Sequence, residues 1–275
     1  MILDYHTHLR GLSESGEGPV EHTPAAVERF AQAAATAGVD EIGFTEHLYY
    51  FREFDELVKH PYQRDRLGHD IDRYCEAVLE GKRRGLPVKL GLEVEWFGGA
   101  EAELTEILAG YPWDYLLGSV HLLEGEAIDL EPGLWELLTV EEIWRRYFAA
   151  LGELAASGLV DVLAHPDLVK IFGRRPAPQV VAELHEEAAE SIQAAGIAIE
   201  VSTAGLRKCV AELYPDEAFL LACRRRGIPV TTASDAHVAQ DVGRDLGRAV
   251  ELLRRAGYET VTVFEGRERR QERLG

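Results

Sequence analysis

Short apolar runs recur along this chain, each followed by a polar loop and then by a stretch whose apolar residues return at helical spacing. The runs that read as strands cover residues 2–5, 41–45, 88–94, 115–120, 160–164, 198–201 and 229–232, with a weaker eighth at 260–264. The intervening helices carry their own punctuation. Thr23-Pro24 opens one, with Thr as the capping residue and Pro at the first helical position. Thr139 opens another, with Glu142 three residues on as in a capping box. Gly38, Gly158, Gly196 and Gly227 each stand just before the next strand, where a helix ends most easily on a residue free to adopt positive φ. Strands that alternate with helices imply a parallel sheet. Seven or eight such units in 275 residues predict an α/β fold closed into a barrel, a single domain over residues 1–275. The alternative, an open doubly wound sheet, usually shows a glycine-rich phosphate loop after its first strand, and none is present.

Composition narrows the function. A hydrophobic content of 46% with 28% charged residues is ordinary for a globular protein. The apolar runs are too short to predict a membrane span, and MILDYHTH lacks the basic and apolar regions of a secretory signal. Cys75, Cys209 and Cys223 form no CxxC pair and read as reduced thiols, so a cytoplasmic location is expected. A net charge of -19 argues against nucleic acid as a partner. For an anionic substrate it also requires that bound cations and a few well-placed Arg or Lys reverse the field locally.

The chemistry lies in where the histidines fall. Of ten, six directly follow an apolar strand: His6 and His8 in DYHTH, His47 in FTEH, His121 in GSVH, His165 in LAHPD and His237 in ASDAH. Glu93 ends the strand KLGLEV, and Asp235 stands two residues before His237. In a barrel all of these project from the C-terminal rim of the strands. Residues i and i+2 of a strand share a face, so His6 and His8 can grip one ion, and Asp235 and His237 can reach the same mouth from the other end of the chain. Imidazole and carboxylate without thiolate suit Zn, Mn or Fe in a catalytic site. A single histidine after a strand is usually a hydrogen-bonded core or loop residue; six of them at five strand ends, with two carboxylates beside them, predict metal. Of the others, His60, His69 and His185 read as solvated surface, and His22 is ambiguous. Glu95 shares the strand face of Glu93 and reads as a rim residue or a salt-bridge partner. Phosphate oxygens need cationic donors, for which Arg207, in the loop STAGLRK after the sixth strand, is the first candidate, Lys170 the second, and Arg174 and Arg175 weaker ones.

DYHTH, FTEH, the Glu of GLEVEW, SVH, AHPD and SDAH together resemble, in order and over the whole chain, the motifs of the polymerase-and-histidinol-phosphatase (PHP) family, and EVSTAGLRK resembles its histidinol-phosphatase branch. The resemblance implies a distorted (β/α)7-type barrel with three divalent transition-metal ions. One ion would take His6, His8, Glu93 and Asp235. A second would take Glu93, His121 and His165, with Glu93 bridging. A third would take His47, His237 and a residue of the loop after the first motif, where Glu14 stands at the expected distance with Glu17 and His22 as competitors. Asp4 would orient a histidine, and Glu46 receives no ligand role. Glu93, Asp235 and His237 count as the catalytic side chains. Closely spaced divalent metals generate hydroxide near neutral pH and neutralise phosphoryl oxygens, so the expected reaction is attack by a metal-bound hydroxide without a covalent phospho-enzyme. The substrate implied is the small-molecule phosphomonoester L-histidinol phosphate, in histidine biosynthesis. Two rival functions remain: another metal-dependent phosphoesterase, nucleotide phosphatase or exonuclease-like, and a non-enzymatic barrel subunit that has lost its metals.

Overall fold

A computed structural model describes residues 1–13, 16–130 and 133–275. Seven parallel strands lie side by side in chain order. They are β1 (Leu3–Asp4), β2 (Glu41–Phe44), β3 (Val88–Glu95), β4 (Tyr115–Ser119), β5 (Val162–Leu163), β6 (Ala198–Ser202) and β7 (Val230–Ala233). Helices fill the crossovers: α1 (Pro24–Thr36), α2 (Ile71–Arg83), α3 (Glu101–Leu108), α4 (Val140–Ala156), α5 (Pro178–Ala195), α6 (Glu217–Arg225), and α7 (Leu246–Arg255) after β7. The anticipated caps form. Thr23 accepts from the Ala26 N–H, and Thr139 and Glu142 make the reciprocal capping box. Gly38, Gly158, Gly196 and Gly227 all adopt positive φ.

The first and last strands meet and close the barrel. The Tyr5 N–H donates to Thr232 O at 3.0 Å, and Thr232 Oγ1 donates to Leu3 O at 2.6 Å. The pairing continues beyond the strands: the His8 N–H donates to Ala236 O at 2.8 Å, and Thr7 bridges Ala236 in parallel. DYHTH and SDAH, more than 220 positions apart in the chain, therefore run side by side.

The weak eighth strand exists but does not join the barrel. Thr260–Glu265 pairs antiparallel with Glu268–Arg273, and its turn sits against the N-terminal ends of the barrel strands. There the Arg267 N–H donates to Asp114 O, the Arg267 guanidinium holds Asp161, and Lys82 and Lys89 hold Glu265. With β1 and β7 already joined, the barrel offers no edge for another strand. His185 also departs from expectation. It is buried in α5 with its ring stacked on Phe219 at 4.7 Å, and burial pushes its pKa down to about 4, so it packs as a neutral ring.

Inside the barrel, Tyr115 is stacked on Tyr5 at 4.9 Å and donates to Tyr5 O at 2.6 Å. Its ring fits only because β2 and β3 contribute glycines there. A Cβ at Gly43 would overlap the Tyr115 hydroxyl, and one at Gly91 would crowd both Thr45 and the Tyr115 ring. Gly43→Ala is expected to destabilise the metal-free chain by about 1–3 kcal/mol through overpacking. A lower midpoint in chemical denaturation, at unchanged slope, is the expected result.

Candidate metal centre

Five of the six strand-end histidines converge on one carboxylate. Glu93 is buried at the end of β3. Its Oε1 lies 3.4 Å from His6 Nε2, 3.5 Å from His121 Nε2 and 3.2 Å from His165 Nε2. Its Oε2 lies 3.9 Å from His8 Nε2 and in contact with His47 Nδ1. Ser119 Oγ donates to Oε1 at 2.5 Å and fixes the carboxylate plane. Asp235 completes the floor, its Oδ1 3.5 Å from His8 Nε2 and 3.8 Å from His6 Nε2, with His237 Nδ1 at 3.7 Å. Potential ligand atoms fall into overlapping groups, each within 4.8 Å: His6, His8 and Glu93; His6, His165 and Asp235; Glu93, His121 and His165; His8, His47 and His237.

Three glutamates stand behind these histidines, and two of them, Glu200 and Glu95, are within hydrogen-bond distance of the rings. Glu200, in the middle of β6, lies 2.9 Å from His6 Nδ1 and accepts the His165 N–H at 3.1 Å. Glu95 lies 3.0 Å from His121 Nδ1 and accepts the His121 N–H at 3.0 Å. Glu46 lies 3.6 Å from His8 Nδ1 and accepts the Leu9 N–H at 2.6 Å. A carboxylate at Nδ1 leaves Nε2 as the donor atom facing the centre and fixes the ring's orientation. Two further ligand positions are held in strained backbone, His165 at φ 25° and Asp235 at φ 54°. Glu200 ties the first. Asp4 ties the neighbourhood of the second, accepting from the Ser234 N–H at 2.7 Å, Ser234 Oγ at 2.6 Å and the Gly243 N–H at 2.7 Å.

The electrostatics fit divalent cations. Glu46, Glu93, Glu95 and Glu200 are buried, and Asp235 is nearly so. Among the described residues no Lys or Arg side chain forms an ion pair with any of the five. Burial opposes ionisation of Glu93, yet His47, His6 and His121 outweigh it and hold the carboxyl well below the usual range. For Asp235 burial is likewise outweighed, by His6, His8 and His237. Burial would depress His121, but Glu95 and Glu93 raise it to about 10. His47 goes the other way, pushed down to about 3 by burial and by His8. The rings of His47 and His237 stack on His8 at 4.1 and 4.3 Å, so they cannot all be cationic. His6 Nε2 and His8 Nε2 are buried without a hydrogen bond. Clustered imidazoles facing several buried carboxylates, with no Lys or Arg paired to them among the described residues, form a donor set suited to divalent transition metals.

The structure corrects several expectations. Lys170 is not at the mouth. It is fully buried, its ammonium 2.6 Å from Asp167 Oδ2 and donating to Leu213 O at 2.7 Å, so it serves the loop after β5. Arg174 lies over the Trp135 ring and Arg175 pairs with Glu212. Asp4 positions the loop of Asp235 rather than a histidine. Of the two readings of Glu95 the salt-bridge partner holds, since it is buried against His121. His22 packs against Phe51 with its Nε2 3.4 Å from Glu46 Oε1, outside the four ligand groups. Glu14 lies outside the described residues. Glu200 escaped the sequence reading, although a carboxylate flanked by Ile199 and Val201 in an apolar strand signals a buried partner.

Above the centre opens a cavity of about 280 Å³ lined by His47, Glu93, His121, His165, Asp235 and His237, with Arg207 on its wall. Arg207 Nη2 donates to Ser234 O at 2.5 Å and is 3.4 Å from Asp235 O, and Nη1 is 3.5 Å from Thr203 O. Three carbonyls take at most three of its five N–H donors.

Comparison with known proteins gives the same picture. The PHP domain model matches residues 4–204 and the PHP-associated model residues 220–245. A probable histidinol-phosphatase of Deinococcus radiodurans is 35% identical over 243 residues, 88% of this chain and 91% of the relative. The histidinol-phosphatase of Lactococcus lactis is 24% identical over 270 residues, 96% and 94% of the two chains. The crystal structure of the Lactococcus lactis histidinol phosphate phosphatase, complexed with zinc, L-histidinol and phosphate, shares the fold with a TM-score of 0.77 at 21% identity, covering 98% of each chain.

Because Glu200 fixes both His6 and His165, Glu200→Gln is expected to weaken metal binding by about 10–100-fold while leaving the fold intact. Glu95→Gln, which among the strand-end histidines touches only His121, is expected to have a smaller effect. Competition of each variant with a metal-chelating dye measures both.

Proposed function

The chain belongs to the PHP-domain family, and from that premise we propose that it is a histidinol-phosphatase, hydrolysing L-histidinol phosphate to L-histidinol and phosphate in histidine biosynthesis. The observation that carries this reading is the convergence of six imidazoles on Glu93 and Asp235 at the floor of a cavity that Arg207 overlooks. The 35% identical relative, 91% of whose length is matched, supports the choice of substrate.

The ligand geometry supports three ions, drawn from Zn, Fe or Mn. His6, His8, Glu93 and Asp235 would hold one, and Glu93, His121 and His165 a second. His47 and His237 would hold a third, with His8 close by; its loop ligand would come from Glu14 or Glu17. When bound, such ions supply an activated water and neutralise the phosphoryl oxygens, so no side-chain nucleophile is required. The chain's own residues arrange the rest. Glu200 and Glu95 hold the imidazoles of His6 and His121 at fixed angles. Asp235 and His237, whose side chains keep 16% and 25% of their exposure, are open to an incoming phosphate. Arg207, pinned by the carbonyls of Ser234 and Thr203, presents its remaining N–H donors to phosphoryl oxygens as charge builds on them. No helix among the described residues is long and apolar enough to cross a membrane, and the proposed setting is the cytoplasm.

Metal-stripped protein is expected to release no phosphate from L-histidinol phosphate and to regain turnover when Zn, Mn or Fe is restored, with nucleotides and other phosphomonoesters far poorer substrates. Preference for a nucleotide would overturn the choice of substrate. Arg207→Ala is expected to lower kcat/KM by at least about tenfold at unchanged metal content, and Arg207→Lys to recover only part, since an ammonium cannot reproduce the guanidinium fork. Normal kinetics in Arg207→Ala would move the phosphate contact elsewhere.

A further inference from the structure

The cavity has a second polar wall, away from Arg207. Arg207 follows β6 and is pinned to the end of β7. Across the ring of strands, beside β3 and β4, the segment between β2 and α2 contributes His60 and Gln63 to the cavity lining. Gln63 is 2% exposed, and its Nε2 donates to Glu95 Oε2 at 2.9 Å. A carboxylate only accepts, so this bond fixes the orientation of the amide and turns Oε1 away from Glu95. That Oε1 is buried and has no hydrogen-bond partner, and the same is true of His60 Nδ1. Asp129, from the loop after the hairpin Leu122–Ala127, lines the same cavity and makes no ion pair among the described residues. Tyr49 and Tyr62, their rings 6.5 Å apart, give this side an aromatic surface.

We propose that His60, Gln63 and Asp129 form the subsite for the leaving alcohol and select one that carries a cationic N–H donor. The inference rests on the phosphatase reading and adds to it the chemistry of the group recognised. A buried amide oxygen without a partner favours a ligand that donates to it, and a ligand lacking the donor leaves it unsatisfied. Asp129 supplies the negative charge that an ammonium or imidazolium requires. The phosphoryl group then lies between the metal ligands and Arg207, and the alcohol extends toward β3 and β4. Because Gln63 also holds Glu95, which holds His121, a bound alcohol touches the residue that positions a metal ligand.

The test uses the metal-loaded full chain and two phosphomonoesters that differ only in one amino group, L-histidinol phosphate and its deamino analogue. The wild type is expected to prefer the amine in kcat/KM. Gln63→Met keeps the volume and removes the acceptor, and is expected to lower that preference by about tenfold, chiefly through KM for the amine. Asp129→Asn, which leaves the Gln63–Glu95–His121 chain in place, is expected to lower the same ratio. An unchanged ratio in both variants overturns the proposal, as does a wild type active on both esters without preference. A wild type that releases phosphate from neither overturns the phosphatase reading, and this inference with it.

Discussion

The Glu93 carboxylate is the constraint around which the rest of this site is arranged. A buried carboxylate is tolerated only with compensating charge and hydrogen bonds. Here the compensation comes from five imidazoles on four separate segments, His6 and His8, His47, His121 and His165, and from the Ser119 hydroxyl. Each imidazole is itself buried or nearly so, and because the carboxylates raise His6, His8 and His121, a cation bound there would displace the protons those rings otherwise hold. The glutamates behind them then have a clear physical role. Without Glu200 and Glu95, the rings of His6 and His121 would be free to turn their nitrogens away from the centre.

The barrel makes this arrangement possible because it closes. The pairing of β1 with β7 carries on past the strand ends, so the backbone of DYHTH hydrogen-bonds that of SDAH and sets His6 and His8 each within 4 Å of Asp235. Asp4 adds to the closure by tying Ser234 and Gly243, and in doing so supports the positive φ of Asp235. Fold and site are therefore coupled at this seam: the ladder that removes the sheet's edges also brings together His6, His8 and Asp235, the ligands proposed for one ion.

Much of this was legible in the sequence. Each of the seven strands stands out as an apolar run between turn residues, and the ligands declare themselves by falling at strand ends. What stayed hidden depends on contacts between distant segments. Glu200 and Glu95 look like ordinary strand carboxylates until the barrel brings His6 and His121 beside them. Lys170 looks like a phosphate ligand because it follows His165 closely, yet the loop turns it inward onto Asp167. The run at 260–264 has the composition of a barrel strand, and only closure by β1 and β7 excludes it. His185 reads as polar surface on a helix, whereas its flat ring fills an aromatic layer with Phe219 and Phe148.

A carboxylate shared between ions should fail differently from one that serves a single site. The most direct test is elemental analysis of metal-reconstituted wild type beside Glu93→Gln, with circular dichroism to confirm that both are folded. The account predicts about three transition-metal ions per wild-type chain and loss of most of them in the variant, because the neutral amide removes charge from two positions at once. A folded Glu93→Gln chain that keeps the wild-type stoichiometry would contradict it, and so would a reconstituted wild type that holds no metal.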